Sequence, residues 1–198
     1  MKLLRYTLLL LLLPCILYSC KGGNKTDDGS DTIIIKTLDS IPDIVETIGI
    51  VGDGTSMNVI EVINEAGDTI YVNAPESVVA GSVSVGDKID IVYASASGEN
   101  VITMAVNLTS LAHLWSQRAA DGHEQSLELN INGTASTYGM NIDYERWSIS
   151  DGLLLLQSPR RIGSEAPAPV DTFDILALDD ENLVLGHGNV ESIFERSN

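Results

Sequence analysis

From residue 44 onward the chain is written in short apolar runs that alternate with polar residues and stop at Gly, Asn or Asp. Alternation of period two over roughly four to eight residues marks a half-buried strand. Ile44–Val51 is predicted as the first strand. Gly52-Asp53-Gly54-Thr55 turns the chain, and Met57–Ile63 alternates back. Glu65-Ala66-Gly67-Asp68 is the next turn, and Thr69–Val72 returns. Pro75 suits the first position of a helix, so residues 75–81 are predicted as a helical turn. Val85-Gly86-Asp87-Lys88 leads into Ile89–Ala94, and a polar loop over 95–100 leads into Val101–Val106. A second series begins with Leu111–Trp115. Ser126–Ile131 places Leu127, Leu129 and Ile131 on one face, and Asn132-Gly133 is the strongest hairpin signal in the chain. Thr134–Tyr138, Tyr144–Ile149 and Leu153–Gln157 follow, the last two joined through Ser150-Asp151-Gly152. After an irregular loop over 158–169, strands are predicted at Val170–Leu178, Asn182–Leu185 and Val190–Glu195. No segment of this part keeps a helical apolar period, so long helices are not expected.

The pattern implies an all-β protein in two parts. Residues 32–106 carry five strands with a helical turn after the third, which is similar to a small OB-like barrel, a β-sandwich being the alternative. Residues 107–198 carry a series joined largely by tight turns, the way an up-and-down antiparallel barrel is written. Residues 20–31 hold Gly, Lys, Asp and Ser with nothing to bury and read as a flexible tether. Gly52-Asp53-Gly54 is followed by neither the Gly-Lys-Ser/Thr of a phosphate loop nor the third Gly of a dinucleotide fingerprint, so it reads as a turn.

The first residues differ in kind. Lys2 and Arg5 precede an apolar run over Leu8–Leu13, Pro14 interrupts it, and Leu17-Tyr18-Ser19-Cys20 closes it. The run is short against the roughly 20 residues a membrane span needs. Cationic start, apolar core and small residue before Cys20 resemble a bacterial lipoprotein signal peptide. The resemblance implies cleavage before Cys20 and diacylglycerol, with palmitate-type acyl chains, on the Cys20 sulfur. The expected location is then the cell envelope, on the outer membrane, at its periplasmic face or the cell surface. Cys15 leaves with the signal peptide, so no thiol remains for a disulfide, a metal or catalysis. The chain has 11 Lys and Arg against 28 Asp and Glu, a formal charge of −17. Such a surface repels phosphates, which argues against nucleic acid as a partner.

Leu111-x-x-Leu-Trp115 is similar to the opening strand of lipocalin-like domains, usually written Leu-x-Gly-x-Trp. Asn132-Gly133-Thr134-Ala135, Tyr144-Glu145-Arg146-Trp147, Asp151-Gly152-Leu153-Leu154-Leu155, Asp171-Thr172 and Leu183-Val184-Leu185 follow in order. Over about 107–187 this resembles the lipocalin-like lipoproteins of Bacteroidetes. The resemblance implies a lipocalin-like (calycin-like) barrel that binds a small apolar or amphipathic ligand. His113 stands where the family usually has Gly, which implies a looser or shifted barrel closure.

Trp115 and Trp147 either line a ligand cavity or close the barrel base. Tyr138 and Tyr144 flank a turn, as does Met140, and are candidates for the cavity mouth. His113, His123 and His187 show no metal-ligand spacing, and His123-Glu124 lacks the second His of a zinc-protease helix. Gly81-Ser82-Val83-Ser84-Val85-Gly86 lacks the spacing of a nucleophile elbow. With no nucleophile beside a base, no enzyme activity, metal or cofactor is expected. Arg160-Arg161 is an adjacent basic pair in the long loop, read either as an anion- or partner-binding loop or as a solvated loop. The alternative to a ligand-binding role is a protein-interaction or structural module of the envelope, with an envelope protein as its partner.

Overall fold

The computed structural model describes residues 41–75, 78–161, 163 and 165–197. The predicted signal peptide over 1–19, Cys20 and the predicted tether over 20–31 lie outside the described residues. Residues 39–198 form one compact unit containing two β-sheets.

The first sheet contains β1 (Asp43–Val51), β2 (Val59–Asn64), β3 (Thr69–Asn73), β4 (Val79–Ala80), β5 (Lys88–Ala96) and β6 (Glu99–Asn107). β1 runs antiparallel to β5 along nearly its whole length, and its last residues also pair with β2. β2 pairs with β3, β3 meets β6 in parallel at Asn73 and Val101, and β6 pairs back to β5. The five long strands therefore close into a ring, a Greek-key barrel of the OB-like kind. Val62, Val72, Ile89, Ile91 and Ile102 alternate inward and fill it. At the predicted helical turn the Pro75 carbonyl accepts the Val78 N–H at 3.3 Å. The chain then enters β4 instead of lengthening a helix, and pairs in parallel with β6.

The second sheet contains β7 (Leu114–Arg118), β8 (Glu124–Leu129), β9 (Ala135–Tyr138), β10 (Arg146–Ser150), β11 (Leu153–Gln157), β12 (Val170–Leu178), β13 (Asn182–His187) and β14 (Val190–Arg196). Consecutive strands from β10 to β14 are neighbours, as are β7, β8 and β9, and β14 pairs with β7. Between β9 and β10 the ring is completed by Ala135 N–H to the Glu145 carbonyl and Trp147 N–H to the Gly133 carbonyl, both 2.9 Å. This is the up-and-down antiparallel barrel expected from the tight turns. At the β10–β11 turn Asp151 and Gly152 take φ of 50° and 71°, the left-handed pair that a two-residue hairpin requires.

Two local expectations change. Residues 108–111 form a short helix, α1 (Leu108–Leu111), so β7 starts at Leu114, after the predicted Leu111. Buried Asn107 caps the helix: its side chain accepts the Ser110 N–H at 3.0 Å and its amide donates to Asp87 at 2.8 Å. Ile131 does not share the buried face of Leu127 and Leu129. The Asn130 carbonyl accepts the Gly133 N–H at 2.8 Å, which puts Ile131 at the tip of the hairpin and exposes it.

Candidate functional site

Strand alternation sorts the interior of the second barrel into two levels. Trp115 is fully buried and lies directly opposite Leu127 on β8. Its indole N–H donates to the Leu111 carbonyl at 2.8 Å, so it satisfies an end of α1 while filling the barrel base. Trp147 lies opposite Leu156, and its indole donates to the Asn130 carbonyl at 2.8 Å. Backbone and side chain of Trp147 thus both tie β10 to the β8–β9 hairpin. With Leu129, Leu183 and Phe194 the two indoles form an apolar floor. Both rings therefore lie in the floor, and Trp147 also lines a small cavity of about 210 Å³.

His113 packs at this closure. Its ring meets Trp115 edge-on at 6.1 Å, and its carbonyl accepts the Leu129 N–H at 2.9 Å. Arg196 Nη2 lies 2.6 Å from His113 Nε2 and donates to the neutral ring. Burial first, and then the Arg196 charge, lower the His113 pKa from its ordinary value.

Toward the other end the inward positions turn polar. Two residues beyond Trp115 and Leu127 stand Gln117 and Gln125, paired in register on the same face, their amides joined at 3.0 Å. Asp171 lies opposite inward-facing Leu156, and Phe173 opposite Leu154. Tyr144 is buried here and donates its hydroxyl to Asp171 at 2.7 Å. Burial, then the bond to Asp171 and its charge, raise the Tyr144 pKa far above the ordinary phenol, so the group acts as a fixed donor. Phe173 carries the His187 ring at 5.1 Å, and His187 Nδ1–H donates to the Thr172 carbonyl at 2.9 Å. Met140 packs against the core from the loop between β9 and β10. Tyr138 faces outward on β9 and is 75% exposed. The structure thus brings Tyr144 to the mouth, sends Trp115 and Trp147 to the floor, and leaves Tyr138 outside.

The barrel wall opens beside this polar level. β14 pairs with β7 only through Glu195–Ser116 and Arg196–Trp115, after which the strands part. A surface cleft of about 460 Å³ lies there, faced from outside the barrel by Ser116, Arg118, Ile193 and Glu195 and reached from the inward side by Gln117. Its size falls in the range of roughly 300–1,000 Å³ typical of small-molecule sites. Gln117 belongs both to this cleft and to the inward face.

Sequence reasoning passed over Gln117, Gln125 and Phe173, and took Asp171 only as the start of a strand. The signal for the glutamines was available: alternation carries the inward face from Trp115 to Gln117 and from Leu127 to Gln125. The long loop is self-tied, because Arg160 donates to the carbonyls of Glu165 and Ala166 at 3.0 and 3.2 Å. Among the described residues no three His, Cys, Asp or Glu side chains converge as metal ligands. No described helix is long and apolar enough to cross a membrane.

Residues 107–197 match the family described as lipocalin-like. No curated protein matches the chain. A solved lipocalin-like protein from Bacteroides thetaiotaomicron is 24% identical, with a TM-score of 0.37, over 44% of this chain and 97% of that one.

Proposed function

We propose that this lipocalin-like protein binds a small apolar or amphipathic ligand without transforming it. The site is the polar mouth of the second barrel, entered through the opening between β7 and β14. The observation that carries the reading is the 460 Å³ cleft that shares Gln117 with a barrel interior polar at one end and apolar at the other. The amides of Gln117 and Gln125 and the Tyr144–Asp171 pair would orient the polar end of a ligand, and Phe173 would cover its apolar body. Trp115 and Trp147 would support the site from below. In the same proposal the protein works in the cell envelope, held to the outer membrane through a lipid on Cys20.

Native mass spectrometry of residues 21–198, purified from the source organism, tests the binding role. A reproducible added mass is expected, and a clean unliganded mass would overturn it. Detergent-phase partitioning tests the anchor: wild type is expected in the detergent phase and Cys20→Ser in the aqueous phase. A second reading, a protein-interaction module, is favoured by Ile44 and Ile50, which stand exposed along the outer face of β1. Crosslinking in intact cells that returns no partner would count against it.

A further inference from the structure

Asp90 lies on the outer face of β5, flanked by Ile48 on β1 and Val106 on β6, the residues directly opposite it. The flanking Val106 belongs to the core of the second barrel, so this outer face of the first barrel is covered by the second. Asp90 is only 2% exposed, and neither of its carboxylate oxygens has a hydrogen-bond partner. An unpartnered buried carboxylate is costly, and proteins keep few of them. This one lines a cavity of about 210 Å³ whose walls include Ile48, Leu108, Ile131, Trp147 and Ile149. It also lines an adjoining cleft with Glu46 and Thr47.

The surrounding charge is mainly negative. Glu46 on β1 and Asp151 in the β10–β11 turn both act on the Asp90 carboxyl, and the Asp151 N–H donates to Glu46 at 3.0 Å. Lys88, two residues before Asp90 on the same face of β5, is the cation lining the smaller cavity. A divalent metal ion does not fit these donors, because calcium takes roughly six to eight oxygens and Asp90 stands against apolar walls. An ammonium group fits: it offers three donors to an acceptor that has none. Ser148 lines the same cavity and its hydroxyl can take a second donor, while an apolar tail lies against Ile48 and Trp147.

We propose that the crevice between the two barrels is a second binding site, specific for a small primary ammonium compound with an apolar tail, anchored on Asp90. The site is separate from the barrel mouth and independent of the reading given for it. Its volume suits a small molecule and excludes a lipid.

The test uses n-butylammonium as the probe and the two indole N–H resonances as reporters. At about pH 8, where Asp90 is ionised, the Trp147 resonance of wild type shifts on titration while that of Trp115 stays in place. Asp90→Asn weakens binding at least about tenfold, the loss expected for one charge-assisted hydrogen bond. 1-Butanol, of the same shape without the charge, binds no better to wild type than butylammonium binds to the variant. Wild type at about pH 5 repeats the loss without any substitution, since burial raises the carboxyl to about 7 and it is then protonated. Equal binding by wild type and Asp90→Asn, equal binding of butanol and butylammonium, or an unmoved Trp147 resonance would each overturn the proposal.

Discussion

Replacing Asp90 by Asn removes one charge from a buried place where no protein group partners it. Burial, and then Glu46 and Asp151, push the Asp90 carboxyl up from 3.8 to about 7. Between these values the native chain keeps a proton that the unfolded chain has lost. Native stability therefore falls as pH rises through this window, and it levels off above about pH 7. At about 1.4 kcal/mol per pH unit, the three-unit window amounts to a penalty on the order of 4 kcal/mol on the native state. Asn carries no such penalty. Its buried amide is also poorly partnered, which offsets part of the gain, so a net stabilisation of ~2–4 kcal/mol is expected at about pH 8. In a chain of this size that is a rise in Tm of ~5–15 °C. Near pH 4 the two proteins should be alike, or the variant slightly weaker. The assay is urea unfolding followed by tryptophan fluorescence, with wild type and Asp90→Asn measured in parallel at about pH 4, 6 and 8. Carboxylates remote from Asp90 titrate in both proteins and cancel in the difference. A difference that does not grow with pH, or a variant less stable than wild type at the highest pH, would refute the account of Asp90 as a desolvated charge.

The His113 shift has its own sign. A histidine held neutral by burial and by Arg196 contributes stability above its ordinary pKa of about 6.5 and loses it as pH falls below. Wild type should accordingly lose more stability than His113→Gln between about pH 7 and 5, read from urea midpoints. Tyr144→Phe removes the donor to Asp171 and should cost ~1–2 kcal/mol, measured by the same unfolding curves. Gly152→Ala puts a Cβ 1.4 Å from Met104 Sδ at a φ of +71°, and should destabilise by ~1–3 kcal/mol. Adding Met104→Ala should return the steric part, so a double-mutant cycle without coupling would contradict this contact between the barrels.

Strand after strand was legible in the chain because a half-buried β-strand needs only local alternation and a turn needs only its own residues. Val59–Asn64, Leu153–Gln157 and Val170–Leu178 come out within a residue or two of their predicted limits for that reason. The same logic misread Ile131, since alternation cannot tell the last inward residue of a strand from the tip of its hairpin. It also missed β4 and α1, which are too short to show a period. β4 owes its pairing to β6, a partner remote in sequence. Trp115 and Trp147 were found as the large rings, but their place in the floor follows from which carbonyls their indoles reach, Leu111 and Asn130.

Local periodicity, turn chemistry and the succession of tight hairpins determined the all-β class and the up-and-down order of the second barrel, because each acts between neighbouring residues. Two things were left to tertiary structure. One is the parting of β7 and β14, set by how far a ring of strands closes, which opens the barrel beside Gln117. The other is the environment of Asp90. In sequence it is an ordinary outward-facing polar residue in Lys88-Ile89-Asp90-Ile91, and burial came only when a second barrel covered the face on which it stands. Desolvation depends on what packs against a side chain, and no pattern within one strand encodes that.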